Sequence, residues 1–137
     1  MAHTGLDAIE YIRDLIVAAN TDASSNVFIS VAPQSARFPM VVIDMIDRVE
    51  YPTQSSGSAV DQYRVQLNIL AKASTTKSAF KVTHEISQAI RTAISRMTDT
   101  ATYSHDIDGI QEAGHFSDFD SDIQVERVVD DYIIRVK

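Results

Sequence analysis

Apolar residues recur at helical spacing in two segments of the chain. In the first, residues 6–19, they fall every three or four positions and the charged residues lie between them. Thr4 and Asp7 resemble a capping box at the start of this helix. The second segment, residues 74–97, has a wider apolar stripe, and Ser74 is its predicted N-cap. We expect this second helix to anchor the core, because burying a large aliphatic side chain stabilises a fold by roughly 1.5–3 kcal/mol.

The remaining apolar segments predict β-strands. Alternation is clearest at residues 60–72, where every second side chain is apolar, and it predicts one buried and one wet face. Residues 39–51 predict a second strand. Its apolar row on one face is Val41, Ile43, Met45 and Val49, and Asp47 interrupts this row. The polar loop at 52–59 joins these two strands as an antiparallel hairpin. Further strands are predicted at 27–31, at 105–113 and within 123–137.

The predicted elements follow the order α-β-β-β-α-β-β. This order is typical of the α+β class, and we expect a mainly antiparallel sheet with both helices packed on one face. With 137 residues, the chain is predicted to form one domain, residues 1–137. A domain of this size buries roughly two-thirds of its unfolded surface, so its core needs no disulfide or metal for stability.

Composition and charge exclude several classes of function. The chain has no cysteine, which excludes disulfides, thiolate metal sites and thiol nucleophiles. Its formal charge of -7 argues against nonspecific binding to nucleic acid or to an anionic membrane. The longest strongly apolar run, residues 15–19, is too short to span a bilayer, and the first residues lack the pattern of a signal peptide. We therefore expect a soluble protein that is made inside the cell.

Two short motifs resemble metal sites, but each lacks required ligands. HEISQ, which begins at His84, has Gln88 where a zincin needs its second histidine, so His84 is predicted to lie on a solvated helix surface. DFDSD at 118–122 opens like a calcium loop, yet Ile123 stands where that loop needs glycine and Val129 where it needs glutamate. The default prediction for 118–122 is a solvated turn, with a weak cation site as the alternative.

No catalytic constellation is recognisable in the sequence. The glycines are scattered and form neither a phosphate-binding loop nor a nucleophile elbow. The alternative is acid–base chemistry by a histidine paired with a nearby carboxylate, although no nucleophile accompanies such a pair. The residues that offer these pairs are His3, His105, His115, Asp106 and Glu112. We expect ordinary surface histidines, no catalytic residue, no metal ligand and no cofactor.

Acidic residues are concentrated in one part of the chain. Between Met97 and Glu126 there is no Lys or Arg, and the acids are Asp99, Asp106, Asp108, Glu112, Asp118, Asp120 and Asp122. The simplest interpretation is a solvated acidic flank. The alternative is a surface that meets a basic neighbour or repels a polyanion.

The stretch VAPQSARFPMVVI, residues 31–43, contains two prolines, and its segment 32–39 is the proline crossing. Pro33 and Pro39 favour extended geometry in the residue before them and lack an N–H, so the link is predicted to be an irregular, extended crossing with Phe38 exposed or half-buried. This stretch, the alternating strand YRVQLNILAKA and the helix STTKSAFKVTHEISQAIRTAI resemble the tail completion (tail terminator) proteins of long-tailed bacteriophages. The resemblance covers residues 6–136. Met40 departs from it, since an aromatic residue often follows the second proline in such proteins.

The resemblance implies a structural role in the virion. Such proteins assemble as a ring, usually hexameric, on the head-proximal end of the tail tube, stop tube polymerisation and offer a surface to the connector of the head. We therefore expect a homo-oligomer at the neck of the virion, assembled in the host cytoplasm. Its expected partners are the tail tube protein and the head–tail connector, with DNA only in transit through the channel. The alternatives are another neck or head-closure protein, or a small-molecule-binding α+β domain with its pocket in a helix–sheet cleft.

Two groups of residues are predicted to act in such an assembly. The proline crossing and the 51–59 loop are expected to project and to touch a neighbouring subunit, the tube protein or the connector. The residues expected to make these contacts are Gln34, Arg37, Phe38, Tyr51, Thr53 and Gln54. Acidic residues are expected to line or rim the channel, where like charge keeps DNA from sticking. They are Asp106, Asp108, Asp118, Asp120 and Asp122.

Overall fold

The structure is a computed structural model that describes residues 5–19, 21, 23, 26–33, 37–52, 59–73, 78–98 and 107–136. Its elements are α1 (Gly5–Ala18), β1 (Val27–Ile29), β2 (Met40–Pro52), β3 (Ala59–Lys72), α2 (Ala79–Thr98), β4 (Ile107–Asp120) and β5 (Val125–Val136). Their order confirms the predicted α-β-β-β-α-β-β arrangement and the α+β class.

The strands form one sheet in the order β1-β2-β3-β5-β4. β1 runs parallel to β2 and the other neighbouring pairs are antiparallel, which confirms a mainly antiparallel sheet. The predicted hairpin is β2–β3, and its pairing runs from Met40 opposite Leu70 to Pro52 opposite Ala59. β5 lies between β3 and β4, so β1 and β4 are the two edge strands.

One face of the sheet forms the core with both helices. β3 buries alternate side chains from Tyr63 to Ala71, and β5 buries Ile134 on the same face. The helical residues of this core are Ile9, Ile12 and Ile16 from α1 and Val82, Ile86, Ile90 and Ile94 from α2. Their spacing of three or four positions puts each set on one side of its helix and confirms both predicted apolar stripes.

The opposite face of the sheet is polar, and its side chains form hydrogen bonds across the strands. Asn68 on β3 donates to the Asp44 carboxylate on β2 at 3.2 Å. Arg64 donates to one oxygen of Asp131 on β5 at 2.7 Å, and Gln66 donates to the other oxygen at 3.4 Å. The alternation at 60–72 therefore predicted both faces of β3 correctly.

The start of α2 differs from the prediction. α2 begins at Ala79 rather than at residue 74. The Ser78 hydroxyl accepts a hydrogen bond from the backbone N–H of Lys81 at 3.2 Å, so Ser78 is the N-cap. Ser74 lies outside the described residues, as do Thr4 and the side chain of Asp7 from the capping box predicted for α1.

The first two strands also differ from their predicted form. β1 stops at Ile29 rather than at residue 31, because Ser30 has a φ of 71°, which is incompatible with an extended strand. In β2 the pairing with β3 shifts between Met45 and Asp47. A bulge of this kind changes the phase of the alternation, and the side chain of Val49 lies outside those that the structure describes, so its place in the predicted row stays a prediction.

β4 is longer than predicted. It continues to Asp120 instead of ending at residue 113, so the 118–122 segment begins as strand rather than turn. The turn occupies residues 121–124, where Gln124 has a φ of 57° and its side-chain amide donates to the carbonyl oxygen of Ser121 at 2.7 Å. The prediction of a turn over the whole of 118–122 is therefore wrong, because the ladder with β5 extends to Asp120 opposite Val125.

Candidate assembly surfaces and a polar cluster

Arg37 and Phe38, in the second half of the proline crossing, contact residues outside it. The ammonium of Lys72 lies 5.0 Å from the centroid of the Phe38 ring, which is within the range of a cation–π contact. The side-chain amide of Asn26 donates to the carbonyl oxygen of Arg37 at 3.3 Å. Phe38 is 37% exposed and Arg37 is exposed, as contact residues must be, whereas Gln34 lies outside the described residues.

Most of the loop predicted to project between β2 and β3, residues 53–58, lies outside the described residues. The backbone of Tyr51 pairs with that of Val60, so Tyr51 belongs to β2. Thr53 and Gln54 lie outside the described residues, and the role of all three in binding a partner stays a prediction.

The hairpin of β4 and β5 carries half-exposed apolar side chains near its turn. Phe116 and Phe119 on β4 are each 50% exposed, and Ile123 in the turn is 57% exposed. β4 is an edge strand, so one side of its backbone has no neighbouring strand among the described residues. An edge strand with exposed apolar side chains is a surface on which another chain can pair and pack.

The acidic residues of this hairpin are compensated in part by a residue from β5. The guanidinium of Arg127 donates to both carboxylate oxygens of Asp118, at 3.1 and 2.7 Å. Asp120 accepts from the backbone N–H of Asp122 at 3.0 Å. Arg127 therefore offsets part of the negative charge that the acidic residues of β4 and the turn contribute to this surface. Asp106 lies outside the described residues, and the side chain of Asp108 is likewise not described.

Asp118→Asn is expected to lower stability slightly near neutral pH, and this difference should disappear in acid. The hydrogen bonds from Arg127 hold the pKa of the Asp118 carboxyl below its ordinary value of 3.8, against a weaker opposing effect of burial. A carboxyl with a lowered pKa stabilises the fold above its unfolded pKa, and this contribution is lost as the pH falls through the folded pKa. Urea midpoints of both proteins near neutral pH and at about pH 3 measure the difference. An equal gap at both pH values would contradict the assignment.

A polar cluster lies where α2 meets β4 and β5. The hydroxyl of Ser87 donates to Oδ2 of Asp130 at 2.6 Å, and Nδ1 of His115 forms a short hydrogen bond with Oδ1 of the same carboxylate. Beside them, the guanidinium of Arg91 donates to Glu112 at 3.0 Å. Ser87 and Arg91 are one helical turn apart, and His115 and Asp130 are opposite each other in the ladder, so the three elements bring these side chains together.

His84 belongs to the edge of this cluster. Its ring centroid lies 4.0 Å from that of Phe80 and 5.8 Å from that of His115. His84 is half-buried, so the prediction of a solvated helix surface is wrong. The physical reason is the length of β4, whose extension beyond residue 113 places His115 beside the helix.

The cluster does not have the geometry of a catalytic triad. In a triad the histidine lies between the hydroxyl and the carboxylate, so that it can take the proton of the hydroxyl. Here Ser87 and His115 bond to different oxygens of Asp130, and the carboxylate lies between them. The arrangement stabilises a buried carboxylate rather than activating a nucleophile.

Comparison with known protein families shows to which family the chain belongs. The sequence model of the family described as tail completion protein gp17 matches residues 12–137. The chain belongs to this family. The match confirms the resemblance drawn from the sequence and supports a structural role in a phage tail. A comparison with curated protein sequences finds no match.

Among solved structures, this tail completion protein is similar to a chain described as "Virion of native gene transfer agent (GTA) particle". The two chains are 14% identical, with a TM-score of 0.66, over 93% of this chain and 90% of that chain. At this identity the likeness shows a common fold, and the fold is common to nearly the whole of both chains. In the part of this tail completion protein that the structure describes, no helix is long and apolar enough to cross a membrane.

Two features of this tail completion protein have only a weak signal in the sequence. Phe116 and Phe119 are three positions apart, which matches neither one face of a strand nor a buried row. Asp130 interrupts the apolar alternation of β5 between Val128 and Tyr132, and a polar residue in a buried row indicates a buried partner. The carboxylates named from the sequence as possible partners of a histidine are Asp106 and Glu112, whereas the hydrogen bond of His115 is to Asp130.

Proposed function

We propose that this protein forms a ring, hexameric as the family resemblance implies, at the head-proximal end of a phage tail tube. There it ends tube polymerisation and joins the tail to the head connector at the neck of the virion, after assembly in the host cytoplasm. Family membership supports the place in a tail. The common fold with a chain of a gene transfer agent virion is consistent with a place in such a particle. The role is structural and not enzymatic.

The observation that carries the proposal is the edge strand β4. It offers a backbone edge of 14 residues together with the half-exposed Phe116, Phe119 and Ile123 near the turn. A ring forms when one surface of a subunit repeatedly meets a different surface of the next, and an apolar edge strand supplies one such surface. β1, the other edge strand, has three residues, which is short for pairing with a neighbour.

Two further surfaces have proposed roles in this ring. The proline crossing, through Gln34, Arg37 and Phe38, and the 51–59 loop, through Tyr51, Thr53 and Gln54, contact the adjacent subunit, the tube protein or the connector. Acidic residues near the hairpin rim the channel and limit the adhesion of DNA in transit, since like charges repel. They are Asp106, Asp108, Asp118, Asp120 and Asp122.

Native mass spectrometry of the protein alone and negative-stain microscopy of the protein with purified tail tubes test the proposal. We expect closed rings with a central hole and decoration of one end of each tube. The double variant Phe116→Ser/Phe119→Ser should lose ring formation and tube-end binding, because the β4 surface loses its apolar contacts.

The matched control is Ile46→Ser, which removes an apolar side chain that is 52% exposed on β2, and β2 is separated from β4 by β3 and β5. It should assemble as the unmodified protein does. A protein that stays monomeric with tubes at every concentration would overturn the proposal. Rings that bind the head connector but ignore tube ends would instead favour the alternative, a head-closure protein of the neck.

A further inference from the structure

The polar cluster contains a set of side chains that are suited to a metal ion. Glu112, His115 and Asp130 each offer one ligand atom, and these atoms lie within 4.8 Å of one another. We propose that these three residues bind a divalent transition metal ion of the Zn²⁺ type. This inference goes beyond the proposed role in tail assembly and is independent of it.

The donor set fits this class of ion. One imidazole nitrogen and two carboxylate oxygens are common ligands of Zn²⁺, which binds them at about 2.0–2.2 Å and completes its coordination with water. Two ligands of one such ion are therefore at most about 4.4 Å apart. Glu112 is at the exposed side of the cluster, so it is the ligand with room to approach the other two.

Two further side chains hold the carboxylates from outside. Ser87 donates to Asp130, and Arg91 donates to Glu112 at 3.0 Å. Outer partners of this kind fix the orientation of metal ligands in proteins. The three ligands and both outer residues come from α2, β4 and β5, so the site is defined by the tertiary fold.

An unpaired buried hydroxyl supplies the independent observation. Tyr132 is 3% exposed, and its hydroxyl makes no hydrogen bond of ordinary geometry with a described residue, although the side chain of Arg91 is close to it. Tyr132 is two residues after Asp130 on the same face of β5 and opposite Glu112 in the ladder. Buried hydroxyls are nearly always paired, and a water bound to a metal in the cluster would provide the partner.

The charge of the cluster also favours a cation. The side chain of Asp130 is 1% exposed, and its described partners are the hydroxyl of Ser87 and the ring of His115. A buried carboxylate needs a positive charge nearby for stability. Without a metal, the hydrogen bonds from Ser87 and His115 alone would have to satisfy this carboxylate, and experiment separates that metal-free state from the metal-bound one.

The test uses the full chain after treatment with EDTA and removal of the chelator. Zn²⁺ is titrated by calorimetry, and Co²⁺ is titrated in parallel with its visible absorption bands as the signal. We expect one ion per chain, and a rise of the melting temperature with Zn²⁺ that excess EDTA reverses. Glu112→Gln and His115→Gln should each weaken Zn²⁺ binding at least about tenfold and change the Co²⁺ spectrum.

The control is the double variant Asp118→Asn/Asp120→Asn, which removes two acids of the same strand outside the cluster and should bind Zn²⁺ with unchanged affinity. Glu112 is at the exposed side of the cluster, so Glu112→Gln keeps the test valid if His115→Gln fails to fold. No binding of either ion would overturn the proposal and leave Ser87 and His115 as the partners of Asp130. Binding that Glu112→Gln leaves unchanged would overturn it as well, because the ion would then lie elsewhere.

Discussion

Ile134→Ala is expected to destabilise the protein by about 3 kcal/mol, whereas Ile133→Ala should cost about 1 kcal/mol. Ile134 is fully buried in the core between sheet and helices. Its truncation removes apolar surface and leaves a cavity that the packed neighbours fill only in part. Ile133 is half-buried on the opposite, polar face, where water can occupy the space of the lost atoms.

The two variants control each other, since they make the same chemical change at adjacent positions of one strand. Urea unfolding of both variants and of the unmodified protein gives the free energies, provided that the slopes agree. Equal losses at the two positions would contradict the assignment of the helix-covered face as the core of the free subunit.

Ser87→Ala is expected to cost about 1.5–3 kcal/mol, which is large for the loss of one oxygen atom. The Ser87 hydroxyl donates to the buried Asp130 carboxylate at 2.6 Å. Hydrogen bonds to charged groups are stronger than neutral ones, and the variant leaves one carboxylate oxygen without its donor. The loss should appear as a lower free energy of unfolding in metal-free buffer.

Thr83→Val is the matched control for Ser87→Ala. Thr83 is also buried on α2, but its hydroxyl donates to the carbonyl oxygens of Ala79 and Phe80, which belong to its own helix. Such bonds add little to helix stability, so the control should cost less than about 1 kcal/mol. A Ser87→Ala variant as stable as Thr83→Val would show that Asp130 does not depend on its helix partner.

The elements with a strong local period were predictable from the sequence. α2 and β3 are buried on one side, so each repeats its apolar residues at the spacing of its own geometry. β2 was predicted only in part, because the bulge after Met45 follows from its pairing with β3 rather than from its own residues. The end of β4 was missed because this part of the edge strand is exposed on both faces and lacks an alternating pattern.

The polar cluster could not be predicted from spacing along the chain. Ser87 and Asp130 are far apart in sequence, and their contact depends on how α2 packs across β5. The sequence does show that Asp130 interrupts an apolar row, yet it does not identify the partner. The family, in contrast, was predictable, because the order and apolar pattern of the elements extend along nearly the whole chain, and the family model matches residues 12–137.

Synthesis makes β5 after the other described strands, although it lies inside the sheet, between β3 and β4. While residues 125–136 are still unmade, the edge of β3 that β5 will cover is available to any other extended chain. The nascent polypeptide is therefore prone to misassociation until β5 leaves the ribosome. Insertion of β5 closes that edge, so the described sheet is complete only after residues 125–136 have been made.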